Sequence, residues 1–100
     1  MFIAMNRFKI VKGREEEFEK IWMTRDSYLK EVKGFKNFHL LKSSEAEDFT
    51  LYISHSTWDK HASFLNWTKS ENFRKAHKNS GVSKGLYLGH PNFEGYEVII

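Results

Sequence analysis

The sequence has no cysteine, one proline and six glycines among its 100 residues. Because cysteine is absent, the chain forms no disulfide and offers no thiolate to a metal, and we expect a reducing, cytoplasmic setting. The apolar stretch at the start is interrupted at Asn6 and Arg7, too early for a signal segment or a membrane span. The sequence also lacks a phosphate-binding glycine loop, a His-Glu-x-x-His zinc pattern and a nucleophile elbow. These absences argue against a nucleotide-binding enzyme, a zinc protease and an α/β-hydrolase, respectively.

Charge is nearly balanced, with sixteen Lys and Arg against thirteen Asp and Glu. Nucleic-acid-binding domains usually concentrate basic residues on one face or in a run, and the most basic stretch here, residues 74–78, is interrupted by Ala76 and His77. We therefore expect neither nucleic acid nor a membrane as a partner. Aromatic residues are abundant: nine Phe, four Tyr and three Trp favour a partner surface, a ligand pocket or both.

Hydrophobic periodicity predicts a single domain over residues 1–100 that alternates strands and helices. Strands are predicted at residues 2–11, 35–42, 49–57 and 93–100, and helical regions at 14–32 and 59–79. Asp59 is the predicted N-cap of the second helical region, and Ser70 is a candidate N-cap that divides it into two pieces. This β-α-β-β-α-β order is typical of an α+β, ferredoxin-like fold.

Asn6 is an unusual residue for its predicted position. It shares a strand face with the apolar side chains of Phe2, Ala4, Phe8 and Ile10. A buried amide without hydrogen bonds costs about 1–3 kcal/mol, so this side chain needs partners. A bound ligand or water would supply them, and so would a neighbouring loop; the sequence leaves both open.

Trp67 and His77 lie in the second helical region, within the segment NWTKSENFRKAHK. Each has an ordinary interpretation, Trp67 as core and His77 as a helix-end histidine near the last carbonyls. Each also has a functional one, since tryptophan makes a rigid wall for a flat ligand and histidine is the commonest metal ligand. On one unbroken helix the two side chains lie about 80° apart around the axis. If both face one pocket, either the helix breaks near Ser70 or the pocket is a broad cavity.

The whole chain resembles the haem-degrading monooxygenases of the staphylococcal IsdG type, within the antibiotic-biosynthesis-monooxygenase superfamily. The resemblance rests on four segments: MNRFKIVKG from Met5, the TR pair at Thr24, KGF at Lys33, and TWDKHASFLNWTKSENFRKAHK from Thr57. It implies a homodimer in which two ferredoxin-like sheets form a central β-barrel.

The resemblance also implies roles for individual residues. Asn6, Trp67 and His77 match the family's catalytic set, with His77 as the axial ligand of the haem iron and Asn6 near the opposite coordination position. Trp67 is expected to push the porphyrin out of plane. The expected pocket residues beside them are Trp22, Arg25 and Phe73, and the loop at residues 80–90 is an expected lid.

The implied activity is oxidative opening of haem, which serves as substrate and cofactor, with release of iron. It requires O2 and an external electron donor, either an unidentified reductase or a small reductant. Two alternatives stay open at this point. One is a cofactor-independent monooxygenase of the same superfamily that acts on an aromatic or quinol substrate, and the other is a non-catalytic haem carrier.

Overall fold

Four strands and two helices form the fold in the computed structural model, which describes residues 1–24, 29–44, 48–71, 73–74 and 85–100. The elements are β1 (Phe2–Val11), α1 (Glu15–Thr24), a 3-10 turn (Leu29–Glu31), β2 (Phe35–Lys42), β3 (Phe49–Trp58), α2 (His61–Thr68) and β4 (Asn92–Glu97). The strands pair antiparallel in the order β2-β3-β1-β4. The predicted α+β, ferredoxin-like order is confirmed.

Strand boundaries follow the prediction to within a few residues, and pairing explains the differences. β3 runs one residue further than predicted because Trp58 pairs with both Phe2 and Phe35. β4 ends at Glu97, short of the predicted residue 100, because Glu97 pairs with Phe2 and β1 has no strand residue before Phe2. Beyond Glu97, one more backbone hydrogen bond joins the two strand ends, from the Val98 N–H to the Met1 carbonyl.

The prediction of one helix over residues 14–32 is wrong. α1 ends at Thr24, whose hydroxyl donates to the Lys20 carbonyl at 2.9 Å, and the chain later makes a separate 3-10 turn that buries Leu29. A threonine hydroxyl that bonds back to the preceding turn competes with the helical ladder, which suits a helix end. Residues 25–28, with the pocket candidate Arg25, lie outside the described residues.

Asp59 is not the N-cap of α2. That position belongs to Lys60, which is extended and makes no side-chain cap bond. The Asp59 carboxylate instead accepts the Ser63 hydroxyl at 2.5 Å, while the Asp59 N–H donates to the Gly34 carbonyl at 2.8 Å. These bonds tie the start of α2 to the turn before β2.

The predicted break at Ser70 is confirmed. α2 ends at Thr68, and the Ser70 hydroxyl both donates to the Trp67 carbonyl at 2.6 Å and accepts the Phe73 N–H at 3.1 Å. One side chain therefore closes the first helix and caps the helical turn that follows, as serine commonly does at N-caps. Trp67 and Phe73 consequently lie on either side of a change in chain direction.

Both helices pack on one face of the sheet, over the even-numbered residues of β1. Two groups of buried side chains fill this layer. The first, at the end where β1 begins, consists of Phe2, Ala4, Leu29 and Trp58. The second, at the other end, consists of Ile10, Phe18, Tyr52 and Leu86. The sequence predicts this alternation correctly, and Asn6 falls between the two groups.

The bond between Asp59 and Ser63 makes a contribution to stability that depends on pH. The Ser63 hydroxyl is the main cause of a lowered pKa at Asp59, below its ordinary 3.8. A lowered pKa in the folded state stabilises the protein above the unfolded-state pKa, and this contribution is lost as pH falls through the lower folded-state value. We expect Ser63→Ala to lower the free energy of unfolding at pH 7 and to differ less from the wild type near pH 3. Urea unfolding of both proteins at the two pH values measures this difference, and a pH-independent gap would contradict it.

Candidate functional site

Asn6 occupies the middle of the helix-covered face of the sheet. In the strand register it lies opposite Ser54 on β3 and Phe93 on β4, and Ser54 in turn lies opposite Leu40 on β2. Directly paired residues point to the same face, so these four side chains form one row across the sheet. This row separates the two groups of buried side chains.

Two polar side chains stand next to each other in this row. Asn6 is half-buried, and Ser54 is only 7% exposed. Across the described part of the chain, neither the Asn6 amide nor the Ser54 hydroxyl makes a hydrogen bond. No loop hydrogen bond to Asn6 is therefore found there, and a ligand or water remains the predicted partner for its amide.

Trp67 forms one side of the site, on α2. Its indole packs against Trp58 at 5.5 Å between ring centroids and meets Phe73 edge-on at 4.8 Å. Phe64, which lies one turn earlier, joins the same cluster and stacks on Phe93 at 5.5 Å with the rings 10° apart. Trp67 is thus a core residue on one side, while its half-buried state leaves part of the ring accessible.

Trp22 forms the other side, on α1. It stacks on Phe38 at 5.5 Å and contacts Phe8 edge-on at 5.9 Å. Trp22 packs against the second group of buried side chains, while Trp67 packs against the first. Asn6 lies between Ala4, which belongs to the first group, and Phe8, which packs against the second. These two residues are about 13 Å apart along the strand. The site is therefore a polar strip between two aromatic walls.

Four of the six predicted site residues lie on the same side of the sheet in the structure. Asn6, Trp67, Trp22 and Phe73 all belong to the helix-covered layer. His77 and Arg25 lie outside the described residues, so their roles remain predictions from the sequence. Sequence reasoning missed Ser54, although its place opposite Asn6 would have followed from the register of β1 with β3.

One end of the expected lid at residues 80–90 is anchored to β1, and the lid itself stays a prediction. Leu86 is fully buried, and its carbonyl accepts the Val11 N–H at 3.0 Å. The Leu88 N–H donates to the Lys9 carbonyl at 2.8 Å. Residues 86–88 are thus fixed at the end of β1, and residues 80–84 lie outside the described part.

Neither a metal cluster nor a membrane-spanning helix appears in the parts of the chain that are described. In these ranges no three His, Asp or Glu side chains gather closely enough to hold a metal ion. The helices described there are all too short or too polar to cross a bilayer.

Comparison with known proteins places this chain in a family. Residues 1–79 match the model of the antibiotic biosynthesis monooxygenase family. The chain belongs to that family. Within it, the chain is 31% identical over 87 residues to a staphylobilin-producing haem oxygenase of Staphylococcus epidermidis, an alignment that covers 84% of this chain and 80% of the relative. The resemblance to IsdG-type members is confirmed.

Solved structures of family members share the fold. The haem degrader MhuD from Mycobacterium tuberculosis, solved with two haems in its active site, superposes with a TM-score of 0.77 at 20% identity, covering 100% of this chain and 97% of that one. SnoaB, a cofactor-independent oxygenase from Streptomyces nogalater, superposes with a TM-score of 0.70 at 18% identity, covering 97% and 91%. The same architecture thus serves oxygenases with and without haem.

Proposed function

We propose that this family member is a haem-degrading monooxygenase that uses haem as both substrate and cofactor. The observation that carries the proposal is the Asn6 amide, half-buried and without a hydrogen bond in the described residues, between walls that contain Trp67 and Trp22. The haem oxygenase among its relatives, at 31% identity, supports the same activity.

The described residues fit a haem. A porphyrin is flat and largely apolar, so its binding site needs aromatic surface on its faces and few polar groups. Trp67, Trp22 and Phe73 supply aromatic surface, and Asn6 supplies an amide with both donor and acceptor capacity. The strip between the walls is thus suited to a flat apolar ring that carries an iron ion at its centre.

In this proposal His77, with a neutral imidazole, would hold the haem iron. A ligating histidine donates its other ring N–H to a carbonyl or carboxylate, which fixes its orientation. Asn6 would hydrogen-bond to a small ligand of the haem, and Trp67 would contact the ring. When bound, haem supplies the iron that activates O2 and the ring carbon that is oxidised. Electrons come from an external reductase or small reductant.

We also propose that the chain acts as a homodimer through the face of the sheet that the helices do not cover. This face carries apolar side chains on every strand, and two of them, Leu41 and Tyr96, remain 43% and 48% exposed in one chain. Exposed apolar surface on a sheet favours a second protein layer. The proposed haem site lies on the opposite, helix-covered face.

The test of the function is a hemin titration followed by reduction in air. We expect hemin to produce a saturable Soret band, and a reductant in air then to bleach it. A cofactor-independent monooxygenase would give no Soret band, and a haem carrier would give a band that survives the reductant. Either result would contradict the proposal and would identify which alternative holds.

Replacing Trp67 with phenylalanine tests the role of the indole. The smaller ring keeps an aromatic contact with Trp58 and Phe73 but presents less surface to the ligand. We expect smaller porphyrin distortion, seen as altered haem NMR shifts, together with slower turnover. Identical shifts and rates in a variant of unchanged thermal stability would remove Trp67 from the mechanism.

A further inference from the structure

Ser54 is a buried polar residue whose hydroxyl the fold does not use. The residue is only 7% exposed, but its hydroxyl oxygen keeps some accessible surface, and it makes no hydrogen bond within the described residues. A hydroxyl that bonds no protein group and stays accessible is open to water or to a bound ligand.

The neighbouring serine on the same strand shows the contrast. Ser56 shares the helix-covered face of β3 and is 9% exposed. Its hydroxyl accepts the Trp58 indole N–H at 3.0 Å and lies 3.4 Å from the Ala4 carbonyl. Ser56 therefore has a structural role in positioning Trp58, whereas no comparable bond within the described ranges explains Ser54.

The location of Ser54 indicates what it binds. It is the direct cross-strand partner of Asn6, and such pairs have Cβ atoms about 4.5–5.5 Å apart. The amide and the hydroxyl thus reach the same volume above the sheet, between the walls of Trp67 and Trp22. Two unbonded polar groups at that spacing suit one small polar ligand better than two separate ones.

We infer that Ser54 is a second ligand-binding residue of this site, whose hydroxyl donates to the same small ligand as the Asn6 amide. The inference rests on the proposed function, in which that ligand would be the exchangeable small ligand of the haem. An anion or dioxygen held there keeps lone pairs that accept hydrogen bonds, so two donors bind it more tightly than one. Ser54 would then tune ligand affinity beyond what Asn6 provides alone.

The inference also makes a prediction about the ligand-free protein. A hydroxyl that bonds no protein group adds little to the stability of the fold, so its removal should leave the unfolding temperature unchanged or raise it. A structural role for Ser54 predicts the reverse, a loss of stability. Thermal unfolding of the haem-free Ser54→Ala protein separates these two cases.

The decisive experiment titrates sodium azide into the hemin-loaded ferric protein and follows the Soret band. We expect Ser54→Ala to bind azide about three- to ten-fold more weakly than the wild type, the usual effect of one hydrogen bond. Asn6→Ala should weaken azide binding at least as much. Ser54→Cys, which keeps a side-chain atom in place but donates weakly, repeats the test if the alanine variant fails to fold.

Thr57→Val is the matched control. Thr57 is on the same strand, is also 7% exposed, and lies on the opposite face of the sheet. Its replacement by valine removes a buried hydroxyl while keeping the shape, and azide affinity should stay at the wild-type value.

The outcomes distinguish this inference from the proposed function. A wild-type protein that gives no Soret band with hemin would overturn both. Azide affinity unchanged in Ser54→Ala but weakened in Asn6→Ala would overturn the role of Ser54 and leave the function standing. A lower unfolding temperature in haem-free Ser54→Ala would also overturn it, because the hydroxyl would then serve the fold.

Discussion

Replacing His77 with alanine is expected to abolish haem turnover. An axial ligand holds the iron directly, and loss of even the outer partners of such ligands commonly costs 10–100-fold in affinity or activity. We therefore expect the rate of Soret bleaching to fall by more than about 100-fold. The ferric Soret maximum should also shift, because the iron loses its nitrogen ligand. Absorption spectra of the hemin-loaded variant and the bleaching rate after addition of reductant measure both effects.

Added imidazole separates ligation from folding in this variant. Free imidazole can occupy the place of a deleted histidine ring, so we expect it to restore part of the wild-type Soret position in His77→Ala. His90→Ala is the control, since His90 is exposed and lies outside the proposed site. Spectra and turnover that stay at wild-type values in His77→Ala would remove His77 from the proposal.

Replacing Gly34 with alanine is expected to cause the largest loss of stability. Gly34 has a φ of +91°, and a methyl group there would run into the Ser63 hydroxyl and the Asp59 carboxylate. A positive φ costs a residue with a side chain about 1–2 kcal/mol, and overpacking adds about 1–3 kcal/mol. We expect the free energy of unfolding to fall by about 2–4 kcal/mol. Because the Asp59–Ser63 pair positions the start of α2, which carries Trp67, haem binding should weaken as well.

Gly13→Ala provides the matched comparison. Gly13 has nearly the same φ, +93°, but nothing lies within 4 Å of an added methyl group. Only the backbone cost of about 1–2 kcal/mol should appear there. Urea unfolding at one protein concentration gives both values, and equal losses in the two variants would contradict the crowding at Gly34.

The alternation of apolar residues in β1 was enough to predict the layer in which the site lies. It placed Asn6 on the covered face, and the serine at position 70 indicated a second N-cap that the structure confirms. Both features are local, since strand faces follow from a period of two and N-caps from side chains within three residues. Local signals of this kind are present in a single sequence.

The features that the sequence did not predict depend on contacts between distant segments. Ser54 matters because it pairs with Asn6 across 48 positions of sequence (54 minus 6), and apolar alternation within each strand leaves open which residues of two strands lie opposite each other. Asp59 was expected to cap α2, but its bonds go to Ser63 and to Gly34 at the end of another connection. The roles of His77 and Arg25 came from family resemblance, because spacing alone favoured an ordinary helix-end histidine.

The most direct test of haem degradation follows Soret loss and iron release together in the wild-type protein. The hemin-loaded protein is mixed with a reductant in air, with catalase present to remove free peroxide and a ferrous chelator to capture iron. We predict that each haem lost from the Soret band releases one iron to the chelator and that an open-chain tetrapyrrole appears in the mass spectrum. A Soret band that persists after reduction, or bleaching that catalase prevents, would contradict the proposed activity.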